Sequence, residues 1–216
     1  MFKSGDLGLN EVYYRAKGDS IAGVIWNSGG EPLRVSGGDA GLLLTTVPPG
    51  PYDLGIDIDS AGVLGRIRRP LVVPMFSLAE LDLSSLVLAP IARDGELLNR
   101  EEALRGMPAD LSFHAGSPLA AYLELYGLGT GGDNRSRYRV RYTFAPLKST
   151  FARMFGGSGR PVVFEFERVA EFSTASERLV IEPDKLPAGR YRVTVSVTDL
   201  TRNVKSESVA LDIIMH

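Results

Sequence analysis

The chain has 216 residues, with 24 Lys and Arg against 26 Asp and Glu, 44% hydrophobic residues and no cysteine. A formal charge of −2 creates no global field to draw in nucleic acid or anionic lipid. Without cysteine there is no disulfide framework and no thiolate to act as nucleophile or metal ligand, and the apolar and charged fractions are those of a globular chain. No apolar run approaches the length of a membrane span. The start, Met1 to Asp6, carries neither an apolar signal core nor a small-residue cleavage site. A cytoplasmic location follows if Met1 is the native start, and an exported one if a signal has been removed.

The first half reads as short alternating runs at 11–15, 20–26, 32–36, 41–46, 52–58 and 66–73, each expected to be a strand. Ser28-Gly29-Gly30, Ser36-Gly37-Gly38-Asp39 and Ser60-Ala61-Gly62 supply the turns, and Pro74 stops the last run. From 76 to 91 leucines recur at 78, 81, 83, 86 and 88 without a clean helical or strand period. Asn99-Arg100-Glu101-Glu102 has the spacing of a capping box, so a short helix is expected to end near Gly106. The second half yields strands at 111–115, 119–126, 135–144, 162–169, 179–182, 191–198 and 206–214, the strand number of a constant-type sandwich. Along 135–144 the arginines 135, 137, 139 and 141 fall on one face and Tyr138, Val140, Tyr142 and Phe144 on the other. An insertion, 147–161, breaks the rhythm. Ser149 can cap a short helix there and Gly156-Gly157 can end it.

Two segments match closely. Val47-Pro48-Pro49-Gly50-Pro51-Tyr52 leads into Leu54, Ile56 and Ile58; Leu186-Pro187-Ala188-Gly189-Arg190-Tyr191 leads into Val193, Val195 and Val197. A Pro/Gly bend, a Tyr and a period-2 apolar strand form the pattern of a tyrosine corner at the E–F turn of an immunoglobulin-like sandwich. Tyr52 and Tyr191, with Gly50 and Gly189, are therefore expected to be structural corners. The fold expected is all-β: two tandem immunoglobulin-like β-sandwich domains joined by a short helical junction. Residues 1–92 form the first, 93–108 the linker with its helix, and 109–216 the second, seven-stranded one.

The run from Pro118 to Leu128, Pro-Leu-Ala-Ala-Tyr-Leu-Glu-Leu-Tyr-Gly-Leu, together with 186–199 and the preceding 81–91, resembles the C-terminal region of the GWxTD-domain proteins, a largely uncharacterised and mostly exported bacterial family. The resemblance covers residues 40–214. The family's Gly-Trp-x-Thr-Asp signature is absent, because Trp26 is the chain's one Trp and Asn27 follows it. The resemblance implies a β-sandwich with an extracytoplasmic, periplasmic bias and brings no catalytic residues.

Chemistry-bearing residues are sparse. The two histidines, His114 in an expected strand and His216 at the chain end, lack the partners a triad or zinc site needs. The glycine-rich run 127–132 is followed by a strand rather than a helix, so it reads as a hairpin loop and not a dinucleotide site. Asp53, Asp57 and Asp59 share one strand face without a calcium-loop pattern. Glu124, Glu165 and Glu167 are scattered, with nothing to set a glycosidase pair. No catalytic residue, metal site or cofactor is assigned. The partner-binding candidates are Arg135, Arg137, Arg139 and Arg141, whose guanidinium groups suit carboxylates or phosphates, and Phe151, Arg153, Met154 and Phe155 of the insertion, where apolar residues among cations suit a protein groove or a membrane interface. The arginines fit a solvated outer face as well, and the insertion fits a cap on the sandwich core. Arg66, Arg68 and Arg69 form a second basic cluster.

These features point to a non-catalytic interaction module with protein partners, in one form an extrinsic subunit on a membrane surface bracing a larger multi-subunit complex, without nucleic acid and without a transmembrane span. Carbohydrate or small-ligand binding through Trp26 or Tyr126 is the alternative, and an enzyme of unknown class the third.

Overall fold

Runs of alternating apolar and polar residues favour extended chain with one face buried, and the computed structural model is all-β, with one short helix among the described residues. It describes residues 1–4, 9–17, 20–35, 41–91, 99–147, 160–182 and 186–216. Two units result, Met1–Phe76 and Ser77–His216.

In the first unit, β1 (Phe2–Lys3), β2 (Asn10–Arg15) and β5 (Leu42–Val47) form one sheet in the order β1-β2-β5. β3 (Ser20–Asn27), β4 (Pro32–Val35), β6 (Gly50–Ser60) and β7 (Val63–Val73) form the other, in the order β4-β3-β6-β7. All pairings are antiparallel. Val12, Leu43 and Val47 of the smaller sheet meet Ile21, Ile25, Leu54, Ile56 and Val73 of the larger in one core. The β6–β7 hairpin closes on Ala61 and Gly62, with φ of 51° and 79°. Two consecutive positive-φ residues match the twist of a two-residue hairpin.

The second unit contains β8 (Asp82–Leu83), β9 (Val87–Pro90), α1 (Arg100–Gly106), β10 (Ser112–Phe113), β11 (Leu119–Tyr126), β12 (Ser136–Pro146), β13 (Val162–Ala170), β14 (Ala175–Ile181), β15 (Gly189–Asp199) and β16 (Val204–Met215). One sheet runs β10-β16-β15-β12-β13 with β10 parallel to β16; the other runs β14-β11-β8, with β9 also on β11. Leu119, Ala121, Leu123 and Leu125 enter a core shared with Val140, Phe144, Val193, Val195 and Ile213. β11 is buried along its whole length, because α1, through its buried Ala103 and Leu104, packs against β9 and β11 as a third layer.

The capping box forms as its spacing predicts: Asn99 Oδ1 accepts from the Glu102 amide at 3.0 Å and the Glu102 carboxylate accepts from the Asn99 amide at 2.8 Å. Each strand expected from alternation is present, and the two-residue β1, β8 and the four-residue β9 are additions too short to show a period. The pairing repeats between units: β2-β5, β4-β3-β6-β7 in the first correspond to β11-β14, β13-β12-β15-β16 in the second.

Several expectations are corrected. The chain divides at Phe76 and Ser77 rather than near residue 92, because β8 and β9 hydrogen-bond to β11, pairing Leu125 with Leu83 and Ala121 with Leu88. The stretch 77–91 therefore belongs to the second unit, as does α1, which is a packed layer and not a linker. The run 127–132 joins strands of different sheets, so it is a crossover and not a hairpin loop. It is pinned: Gly127 has a φ of 65°, and a Cβ there would lie 1.9 Å from the Glu80 carbonyl oxygen. His114 lies just past β10 and is exposed. The chain end is tied down, since the His216 amide donates to Phe113 O and its carbonyl accepts from Ala115. Residues 148–159, with Phe151, Arg153, Met154 and Phe155, and the 36–40 turn lie outside the described residues. Among the described residues no helix is long and apolar enough to cross a membrane.

Candidate interaction surface

On β6 the even-numbered side chains Leu54 and Ile56 enter the core, so Asp53, Asp57 and Asp59 face outward. Register then builds the outer face row by row: Trp26, Asp53 and Pro70; Val24, Gly55 and Arg68; Ala22, Asp57 and Arg66. Gly55 makes room for its neighbour, because a Cβ there would sit 2.6 Å from the Trp26 ring. The half-buried indole rests on that bare backbone, and the Arg68 guanidinium lies 5.3 Å from its centroid, a cation–π arrangement. Depressions of about 420 Å³ and about 620 Å³ flank Trp26, the first floored by Ala22, Gly23 and Gly55, the second bordered by Asn27, Tyr52 and Pro70.

The charges on this face are arranged in columns. Arg66 grips Asp57 with two hydrogen bonds, of 2.6 and 3.1 Å, and Arg68 reaches Asp53 at 3.1 Å. The hydrogen bond from Arg66 holds the Asp57 carboxyl below the usual carboxylate range. Asp53 and Asp57 thus have cationic partners within the fold. Arg69, on the inward side of β7, stacks over Tyr14 at 4.7 Å.

The three arginines of β12 emerge on one exposed face, and all are paired. Arg137 binds Asp133 at 2.6 Å, Arg139 binds Glu167 at 2.5 Å, and Arg141 lies 3.8 Å from Glu165. Hydrogen bonds from Arg137 bring the Asp133 carboxyl down to about 2. Cross-strand register sets Arg139 opposite Glu167 and Arg141 opposite Glu165, so these cations form an alternating lattice with β13. Arg135 precedes the strand and is exposed.

Three buried carboxylates form clusters that composition did not announce. Glu124, 8% exposed, accepts from Arg100 Nε and Nη2, from Tyr122 and from Tyr126, each at 2.7 Å. Burial pushes its carboxyl up, yet the hydrogen bonds from Arg100, Tyr126 and Tyr122 outweigh it and leave it below the usual range. Glu177, 4% exposed, sits on the core side of β14, accepts from the Tyr138 hydroxyl and lies 4.0 Å from Arg168. There burial wins and the carboxyl is pushed up; the neighbouring Tyr142 hydroxyl is buried without a partner among the described residues. Asp199, fully buried, accepts from the amides of Gly129, Thr201 and Arg202 and from Arg202 Nε. The available signal was a charged residue at a core-phase position, as in Glu177 two before Leu179 and four before Ile181. Among the described residues no group of three His, Asp or Glu side chains converges to hold a metal. Tyr126, a carbohydrate candidate, is buried.

No family model matches the chain, and no curated protein matches it. Among solved structures it is similar to a DUF4785 family protein from Legionella pneumophila, at 8% identity and a TM-score of 0.32, covering 92% of this chain and 49% of that one. It is also similar to a proposed membrane-anchored protein from Corynebacterium diphtheriae, at 10% identity and a TM-score of 0.29, covering 96% of this chain and 58% of that one. The chain spans about half the length of these solved structures.

Proposed function

We propose that this protein is a non-catalytic interaction module that binds a protein partner through the outer face of β3, β6 and β7. The observation that carries the reading is Trp26 on Gly55 beneath Arg68, an aromatic and an arginine held together between two depressions. Trp and Arg are the residues most enriched among binding hot spots. The buried carboxylates Glu124 and Asp199 offer no competing site, since both are occupied by internal donors. In its finer form the module is an extrinsic, extracytoplasmic subunit bracing a larger complex at a membrane surface, a role to which the GWxTD resemblance lends its compartment.

The test is affinity purification of the full chain from its native host with mass spectrometry, alongside a Trp26→Ala chain. A stoichiometric protein captured by the first and lost by the second supports the reading. A chain that captures no other protein and also sediments as a monomer in both overturns it.

Carbohydrate binding is the second reading, favoured by the half-buried indole beside a depression. Against it, one side of that ring rests on Gly55 and Arg68 lies over it, which leaves little open π-face for a sugar. A glycan array with Trp26→Ala as control separates the two.

A further inference from the structure

The columns on the outer face of the first unit are self-complementary. β6 presents Asp53, Asp57 and Asp59, and β7 beside it presents Arg66 and Arg68 between Leu64 and Val72. Leu64 is 78% and Val72 72% exposed, so the fold leaves both ends of the basic column uncovered. Register places Asp57 directly opposite Arg66. A two-fold axis parallel to the strands and midway between the columns maps the β6 side of one copy onto the β7 side of another. Asp57 of each copy then lies over Arg66 of the other, and Asp53 lies in reach of Arg68. This is the isologous geometry of a cyclic dimer, and the roughly 10 Å spacing of stacked sheets accommodates these side chains.

The edge of β7 is less suited to the same purpose. Pro70 lacks an N–H, and Arg69 points inward over Tyr14; both are devices that blunt edge-to-edge pairing. The face, not the edge, is left for association.

We infer that the outer face of β6 and β7 docks against the same face of a second copy of this chain, with Asp57 of each copy over Arg66 of the other. The inference rests on the reading of this face as an interaction surface and names its occupant. Opposed charges set the register and disfavour misaligned copies, while Val72, which the same axis sets over Pro51, supplies apolar area at one end.

Sedimentation equilibrium on the full chain tests it, with R66D/R68D (an all-acidic face), D53R/D57R (a face basic but for Asp59) and their equimolar mixture. The expected result is a wild-type dimer that weakens about tenfold or more when salt rises from about 50 mM to about 500 mM, two monomeric variants, and a 1:1 complex when the variants are mixed. A wild-type chain that stays monomeric up to about millimolar concentration, or same-sign variants that dimerise as well as wild type, overturns the inference. Circular dichroism confirms that each variant is folded, and the wild-type measurement decides even if one is not. A monomeric wild-type chain that still captures a partner from its host leaves the proposed function standing and removes only the self-association.

Discussion

The Tyr191 hydroxyl donates to the carbonyl oxygen of Pro187 at 2.9 Å, and the ring lies over Gly189, whose φ is 154°. Tyr52 repeats the arrangement on Pro48 at 2.9 Å over Gly50, whose φ is 152°. Each phenol ties the strand it opens to the bend that precedes it. The Tyr191 ring is buried and the Tyr52 ring is half-buried, so the two bonds differ in how much water competes for them. Tyr191→Phe is expected to cost about 1 to 1.5 kcal/mol and Tyr52→Phe less, as read from urea unfolding. Equal losses would contradict this account of their unequal burial.

Glu177 sets a pH dependence. Its carboxyl is pushed up by burial, only partly offset by the Tyr138 hydroxyl and by Arg168. The folded chain therefore binds this proton more readily than the unfolded chain. Its contribution is most favourable below the unfolded value, near 4.3, and is lost as pH rises through the folded value. Glu177→Gln keeps an acceptor for Tyr138 and removes the charge. It is expected to stabilise the protein by about 1 kcal/mol at pH 7 and by less at pH 4, as measured by chemical denaturation at the two values.

Glu124 behaves in the opposite sense. Its carboxyl lies below the usual range, so the stability it adds is present above the unfolded value and lost as pH falls through the folded one. Arg100→Ala leaves a buried carboxylate with the two tyrosines alone and takes away the tie between α1 and β11. The expected cost is about 3 kcal/mol at pH 7, with hydrogen exchange accelerated in α1 before it rises in β15.

Gly55→Ala reports on the proposed interface without altering a charge. The added Cβ meets the Trp26 ring at 2.6 Å, so the indole must lift away from the sheet and from Arg68. Trp26 is the chain's one tryptophan, which makes its emission a clean reporter. A red shift and weaker partner capture are expected, with unfolding still cooperative. Unchanged emission would mean that the indole does not rest on Gly55.

The alternation of apolar residues made the longer strands legible, because a face that must be buried fixes which side chains alternate. The tyrosine corners were legible for the same reason: a Pro/Gly bend and a phenol at fixed spacing form one local device. The boundary was not. β8 and β9 are too short to carry a period, and their place is decided by hydrogen bonds to β11, a partner distant in sequence. The alternation also placed Arg137, Arg139 and Arg141 on one face but not their carboxylates, since Glu165 and Glu167 arrive through pairing with β13. The chain has one tryptophan, Trp26; that it rests on Gly55 depends on register between β3 and β6. Glu177 is hidden in the sequence because a charge at a core position breaks the pattern that identifies the strand.

Arg202 stands in the turn between β15 and β16 with its side chain 33% exposed. Its guanidinium is committed three ways, to Asp199, to the Ala79 carbonyl and to the Gly127 carbonyl. A protease that cleaves after arginine must draw that group into its own specificity pocket, and this one is already spoken for by the chain that surrounds it. Brief trypsin treatment should leave the 199–204 turn whole while an exposed loop arginine such as Arg135 is cut, and a turn severed early would mean that this grip opens in solution.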